Sequence, residues 1–312
     1  MLRSALLYLS SQPKVFSFVR HNRMAKGFAS RFVAGETMDS ALAAVKTLNN
    51  KGITASLDFL GESVRNEKEA RDSARQYKHL LDRIKESRLD ANVSVKLTAM
   101  GLDLGEDLCA ANMQEILECA RKHETFVRID MEGSDYTQKT LDMFYNRLFP
   151  SYRGNVGLVI QSYLYRAFQD VKEANAAGAR VRLCKGAYKE PASVAYPDKS
   201  DVDDSYLRCI RALLLDGNYP GIATHDERMV RETKRFARDN QIDSSRFEFQ
   251  MLYGVRRDLQ EKLVREGYRM RVYVPFGTQW YPYLMRRLAE RPANVAFITG
   301  NVLKEMVGRN RS

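Results

Sequence analysis

Two kinds of stretch alternate along this chain. In one, apolar residues recur every third or fourth position, as on one face of a helix. In the other, short runs are dense in Val, Ile, Leu and Phe, as in strands buried on both faces. The pattern predicts a helix over 38–48 that stops at Asn49-Asn50-Lys51-Gly52, followed by a strand over 53–59. Seven more strands are predicted over 91–97, 125–130, 156–161, 179–184, 221–225, 247–251 and 269–274. Helices are predicted over 73–86, 108–123, 138–149, 167–177, 203–215, 227–240 and 258–266. Eight strand–helix units with connections of this length predict a parallel (β/α)8 TIM barrel, an α/β fold. A doubly wound open sheet is the alternative. The count of eight, and the lack of a G-x-G-x-x-G after the first strand, favour the barrel.

After the eighth strand comes Trp280-Tyr-Pro-Tyr-Leu-Met-Arg-Arg-Leu-Ala-Glu290. Pro282 suits the first position of a helix, where its missing N–H has no partner to lose. Tyr283, Arg286 and Arg287 then share one face. Two guanidinium forks beside one aromatic ring suit a small ligand with a carboxylate and an apolar body. The plain alternative is a pair of solvated arginines complementing the helix dipole. Following strand eight, this helix is expected over the barrel mouth.

Polar residues collect at the C-terminal ends of the strands, where such barrels place their active sites. Lys96 ends the second, Asp130 and Glu132 the third and Gln161 the fourth. Arg182 and Lys185 belong to the fifth, Thr224 and His225 to the sixth, Gln250 to the seventh and Tyr273 to the eighth. A lone polar residue at a strand end is ordinarily solvated. The same bias on seven consecutive strands points to a site.

Composition narrows the class. The 312 residues are 44% hydrophobic and 29% charged, as in a soluble globular chain, with a net charge of +11. No apolar run is long enough to span a bilayer. Met1 to Gly35 contains no acidic residue but carries Arg3, Lys14, Arg20, Arg23, Lys26 and Arg31. Such a segment also resembles a transit peptide. It runs on into Arg31-Phe-Val-Ala-Gly-Glu-Thr37, which reads as helix capping. We therefore read 1–35 as a basic arm of extra N-terminal helices, with a face suited to anionic lipid, and 36–312 as one barrel domain. Cys109, Cys119, Cys184 and Cys209 form no CxxC pair, which together with only four histidines leaves a metal centre unsupported and suggests reduced thiols in a cytoplasmic setting.

The strand-end set is rich in cations and poor in nucleophiles. His225 has no serine or cysteine partner at a recognisable spacing. Asp130 and Glu132 lack a third metal ligand. Lys185-Gly186-Ala187 lets backbone approach a larger anion such as a phosphate, while Arg286 and Arg287 suit a carboxylate. A phosphate-bearing cofactor with a small carboxylate substrate fits this division. One rival is a Schiff-base aldolase using Lys96 or Lys185. Another is a basic protein that binds membrane or nucleic acid, although no nucleic-acid motif is present.

Five ordered motifs carry a resemblance. Arg182-Leu-Cys-Lys-Gly-Ala-Tyr188, Ala223-Thr-His225, Glu248-Phe-Gln-Met-Leu252, Arg271-Val-Tyr-Val-Pro-Phe-Gly277 and Tyr283-Leu-Met-Arg-Arg287 resemble the proline dehydrogenase family, in its monofunctional bacterial form. The resemblance covers roughly residues 30–305. It implies FAD held non-covalently at the barrel mouth, L-proline against it, hydride transfer to flavin N5, and Δ1-pyrroline-5-carboxylate as product. It implies Arg286, Arg287 and Lys96 on the substrate carboxylate. Tyr273, Tyr283, Leu252 and Ala187 would enclose the ring, with Asp130 as an orienting carboxylate. Glu62 would pair with Arg286 as a gate. Asp130, Gln161, Arg182, Cys184, Lys185, Gly186, Ala187, Thr224, His225 and Gln250 would contact the flavin, Arg182 near N5. Tyr283 would select proline over hydroxyproline. The implied partners are a membrane quinone as electron acceptor and Δ1-pyrroline-5-carboxylate dehydrogenase downstream, with the arm in peripheral contact with the inner face of the membrane. Lys189 departs from the tryptophan of fused relatives. Cys184 replaces a common valine and is expected as a small packed hydrophobe.

Overall fold

The computed structural model describes residues 29–61 and 64–290, with side chains in the last helix described through Met285. Eight parallel strands close into a barrel in sequential order. They are β1 (Thr54–Phe59), β2 (Ala91–Val95), β3 (Val127–Ile129), β4 (Val156–Gln161), β5 (Arg180–Cys184), β6 (Gly221–Ala223), β7 (Glu248–Leu252) and β8 (Met270–Phe276). β8 closes onto β1 in the register Ala55 to Val272 and Leu57 to Val274. The barrel displaces the open sheet as the architecture.

The helices are α1 (Met38–Asn49), α2 (Glu67–Glu86), α3 (Glu106–Lys122), α4 (Ser134–Asp142), α5 (Phe149–Tyr152), α6 (Ala167–Ala177), α7 (Lys199–Asp216), α8 (Glu227–Asp239), α9 (Arg257–Arg265) and α10 (Trp280–Glu290). Among the described residues none is long and apolar enough to cross a membrane. Outward-facing Leu57, Val93, Val95, Val127, Ile129, Leu158, Ile160, Val181, Leu183, Val272 and Val274 are fully or almost fully buried beneath the helices. The helical faces over them bring Tyr77, Leu80, Leu81, Met113, Ile116, Leu117, Tyr206 and Ile210. Burying such side chains, at about 1.5–3 kcal/mol each, is the main drive for the two-layer fold.

Three helices differ from the pattern in ways that have a local cause. α2 begins six residues before the predicted 73, because Asn66 caps it by accepting from the Glu69 N–H while Glu67 and Glu69 complement the dipole. The predicted helix 138–149 is instead α4, a π-helical stretch over Met143–Leu148, and α5. Pro150 cannot donate back to the carbonyl four residues earlier, and the widened turn absorbs that loss. α10 begins at Trp280, not at Pro282. Pro282 becomes the third helical residue, still within the turn whose N–H groups have no intrahelical partner. The helix start is tied down instead by Trp280, whose Nε1–H donates to Glu36 Oε1 at 3.0 Å.

The described end of the N-terminal arm packs on the barrel. Ala29, Val33 and Ala34 are buried, and the Ala34 N–H donates to the Pro275 carbonyl at 2.9 Å. Thr37 caps α1 by accepting from the Ser40 N–H, as the capping pattern predicts. Residues 1–28 of the arm, and Glu62, lie outside the described residues.

Candidate active site

A strand turns successive side chains to opposite faces. Here the inward positions are polar along most strands, whereas typical barrels of this class fill them with branched aliphatics. Ser56 and Asp58 face in from β1, and Ser94 and Lys96 from β2 and the residue after it. Arg128 and Asp130 enter at β3, Arg182 from β5, Glu248 and Gln250 from β7, and Arg271 and Tyr273 from β8. All of them except Arg271 and Tyr273, which are half-buried, count as buried.

They converge on Arg182. Its Nη1 donates to Asp130 Oδ1 at 2.7 Å and its Nε to Gln250 Oε1 at 2.6 Å. Nη2 donates to Ser94 Oγ at 3.0 Å and to Ser56 Oγ at 3.4 Å. Its charge lies 5.2 Å from the Tyr273 ring centre, and the Tyr273 hydroxyl donates to Asp130 Oδ2 at 2.7 Å. One guanidinium from β5 is thus gripped by residues of β1, β2, β3, β7 and β8. Only a planar fork with five donors can satisfy so many directions at once. Burial, and then the Asp130 carboxylate, push the Tyr273 hydroxyl well above its ordinary value near 10, so it stays a neutral donor.

Two further charge pairs support this centre. Lys96 Nζ bonds both Asp58 oxygens, at 3.0 and 3.2 Å, and the Tyr77 hydroxyl approaches Asp58 Oδ1 at 3.3 Å. Beneath them, Glu248 Oε1 accepts from Arg271 Nε at 2.7 Å and from Gln250 Nε2 at 2.6 Å. Burial alone pushes the Glu248 carboxyl up. The opposing Arg271 and Gln250 contacts outweigh it, and the net direction is down. Gly157 makes room at this depth, since a Cβ there would meet the Arg180 carbonyl at 2.4 Å and Arg128 Nη1 at 2.7 Å.

Above the network opens a cavity of about 570 Å³. Lys96, Asp130, Gln161, Arg182, Cys184, Lys185, Gly186, Ala187, Thr224, His225, Gln250, Leu252, Tyr273 and Tyr283 line it, so the strand-end positions meet at one mouth. Met131, Val159, Tyr188, Asp226 and Met251 line it too and were not foreseen. Because β3 and β6 are shorter than predicted, Asp130, Thr224 and His225 sit just past the strands. The Leu252 N–H donates to His225 Nε2 at 2.9 Å, so that nitrogen carries no proton in this arrangement and the imidazole fixes the turn after β7.

Two expectations change. Glu132 does not join Asp130: its carboxylate accepts from the Thr98 N–H at 3.2 Å and the Thr98 hydroxyl at 2.7 Å. The mouth is also not cation-rich in effect, because Lys96, Arg182 and Lys185 each face a carboxylate. Lys185 Nζ donates to Asp203 at 2.5 Å and Asp226 at 3.2 Å, so its charge is already balanced by carboxylates before any phosphate arrives. The aldolase reading weakens for the same reason. An ammonium locked to carboxylates has no lone pair with which to attack a carbonyl.

Asp58, which anchors Lys96, was not singled out in the sequence. Its signal was there: the one charged residue in the strand, two positions after Ser56 on the same face. Glu190 was missed as well. It accepts from the Ser134 N–H at 2.8 Å, bonds the Ser134 hydroxyl and the Tyr163 hydroxyl, and clasps the loop after β5 to the start of α4. Gly186 in that loop has φ +118°, and a Cβ would stand 2.5 Å from the Tyr163 ring. The loop backbone therefore lies flat on Tyr163 and faces the cavity. The side chains of Arg286 and Arg287 lie outside those described. Their helix is present, and Tyr283, three and four positions before them, borders the mouth.

Comparisons with known proteins point to one family. Residues 41–300 match the family described as Proline dehydrogenase. The chain is 45% identical over 305 residues to Proline dehydrogenase 1 of Bacillus subtilis subsp. natto, covering 98% of this chain and 100% of that one. It is 41% identical over 307 residues to Proline dehydrogenase of Deinococcus radiodurans, covering 97% and 98%. The fold superposes on the crystal structure of proline utilization A (PutA) from Bdellovibrio bacteriovorus inactivated by N-propargylglycine, with a TM-score of 0.80 and 29% identity. That match covers 89% of this chain and 34% of the longer one. With a family match over most of its length and full-length relatives above 40% identity, the chain belongs to the proline dehydrogenase family.

Proposed function

We propose that this chain is a flavin-dependent proline dehydrogenase, oxidising L-proline to Δ1-pyrroline-5-carboxylate as the first step of proline catabolism. The observation that carries the reading is Arg182 held by five strands beneath a cavity at the barrel mouth. FAD fits the residues present. The cavity is within the range that organic ligands use, the Gly186 backbone faces it without a side chain, and Gln161, Thr224 and Gln250 add neutral polar groups. Gln161, Arg182, Cys184, Lys185, Gly186, Ala187, Thr224, His225 and Gln250 would hold it. FAD would supply the acceptor for a hydride leaving the proline ring.

The chain's own residues bind, orient and balance charge. Lys96, fixed by Asp58, offers its remaining donor capacity to the substrate carboxylate, with Arg286 and Arg287 added from α10. Tyr273, Tyr283, Leu252 and Ala187 enclose the ring and exclude water from it. Asp130 holds Arg182 and Tyr273 in one geometry, so the positive charge of Arg182 would be preorganised to balance the negative charge of a reduced flavin. Proline reacts with its nitrogen deprotonated, so no strong protein base is required. Lys185 shapes the Gly186–Ala187 backbone by anchoring to Asp203 and Asp226, rather than by acting as a free cation. In this reading Glu62 and Arg286 gate the mouth, residues 1–35 form a membrane-facing arm on the 36–312 barrel, and a quinone takes the electrons.

The test is a visible spectrum of the purified chain before and after anaerobic L-proline. A flavin spectrum that bleaches is expected. A colourless chain that gains no proline-dependent dye reduction on adding FAD overturns the proposal.

A further inference from the structure

Away from the barrel mouth, α2 and α3 pack side by side in the outer layer. Asp82 on α2 faces Cys119 on α3 and His123 just past its end. Cys119 and His123 are four residues apart, so one helical face presents both. Asp82 Oδ1 lies 2.6 Å from His123 Nε2 and 3.7 Å from Cys119 Sγ, and the three ligand atoms all lie within 4.8 Å of one another. Among the described residues this is the only such trio of His, Cys, Asp or Glu groups. All three residues are half-buried, so their stems are packed while one side opens to solvent.

We propose that Asp82, Cys119 and His123 form a zinc(II) site that braces α2 to α3. Thiolate, imidazole and carboxylate together suit a borderline-soft ion and not calcium or magnesium, which take sets of oxygen ligands. Zinc–ligand lengths of about 2.0–2.3 Å in a tetrahedron put ligand atoms roughly 3.3–3.8 Å apart. The Asp82–Cys119 separation already matches this. The Asp82–His123 pair opens by about 0.7 Å to admit the ion, exchanging its hydrogen bond for two metal bonds while the proton of that bond passes to His123 Nδ1 or to solvent. Cys119 binds as the thiolate, its proton passing to solvent, and water completes the fourth position.

The site is separate from the cavity, so its test does not depend on turnover. Full-length protein is stripped with chelator and titrated with cobalt(II) and with zinc(II). The expected result is one equivalent bound, a thiolate-to-cobalt charge-transfer band in the difference spectrum, and a melting temperature that rises with zinc. Cys119→Ser abolishes the band. His123→Ala and Asp82→Asn each weaken zinc binding by more than about tenfold, the lower end of what even an outer-shell partner costs. Cys184→Ser leaves the band in place. Asp82 is the half-exposed member, so its variant keeps the test open if another fails to fold. No band, a band surviving in Cys119→Ser, or a band lost only in Cys184→Ser overturns the proposal.

Discussion

Lys96 and Asp58 provide a direct test of how the barrel interior holds together. The carboxylate has 1% side-chain exposure and the ammonium 8%, with 3.0 Å between the closest atoms. Removing one partner of a buried pair strands the other, at about 3–5 kcal/mol. The two removals are unequal here. Lys96→Met leaves the Asp58 carboxylate deep in the barrel with the Tyr77 hydroxyl at 3.3 Å, and should cost the full ~3–5 kcal/mol. Asp58→Asn leaves Lys96 an amide oxygen to bond and an adjacent cavity to turn toward, so about 1–3 kcal/mol is expected. In the double variant the stranded charge is gone. Its cost should then be well below the sum, with a coupling of about 2–3 kcal/mol. Urea unfolding of the four proteins, each without added cofactor and read by linear extrapolation, measures each corner of the cycle. Additivity within about 0.5 kcal/mol, or Asp58→Asn costing more than Lys96→Met, would refute the reasoning.

Gly186→Ala should destabilise by about 1–3 kcal/mol through its φ and should lower flavin retention; pairing it with Tyr163→Ala relieves the clash but not the backbone strain, so full recovery in the pair counts against the φ argument. Glu190→Gln keeps the shape of the clasp but loses charge-assisted bonds of about 1.5–3 kcal/mol, so the loop after β5 should become more sensitive to protease and the flavin dissociation constant should rise by about tenfold or more; unchanged values for both would dismiss the clasp. Burial pushes the Asp203 carboxyl up, but the bonds from Lys185 and Lys199 outweigh it and the net direction is down. A depressed folded value means that this contribution is present above the unfolded value near ~3.9 and is lost as pH falls through the folded one. The stability gap between wild type and Asp203→Asn should therefore be widest near neutrality and close in acid below about pH 4, and a gap that stays constant in urea midpoints across that window contradicts it.

The eight strands were legible because a parallel sheet covered by helices must be apolar outward on every strand, which leaves a dense Val/Ile/Leu signal. Their ends were less so. β3 and β6 end at Ile129 and Ala223, although the Asp130 and Thr224 N–H groups still donate to the Val95 and Gln250 carbonyls of neighbouring strands, so the polar run there blurred where the strands end. The mouth residues showed as polar interruptions. The layer beneath also shows as alternation, Ser56 with Asp58 and Arg128 with Asp130. What no local pattern carries is the pairing. Lys96 and Asp58 are 38 positions apart and Arg182 and Gln250 are 68, so whether a cation faces ligand or carboxylate depends on closure of the barrel. The same holds for Lys185, read as free and found between two acids. Composition said correctly that thiols are unpaired, but the three-way meeting of Asp82, Cys119 and His123 needed two helices in register.

Closure itself bears on how the chain is made. β8 pairs with β1, and Arg271 reaches back 216 positions to the Ala55 carbonyl. Contacts between such distant parts of a chain form late, because the loop-closure entropy is spent before they can stabilise anything. During synthesis β1 emerges early and waits with one edge unpaired, a template for pairing with other chains. The interior waits too: Tyr273 is the partner of Asp130, and Arg271 of Glu248, and both arrive with the last strand. Sealing the sheet and neutralising Glu248 are therefore one event, and a nascent chain stalled before β8 holds both an open edge and a stranded Glu248 carboxylate.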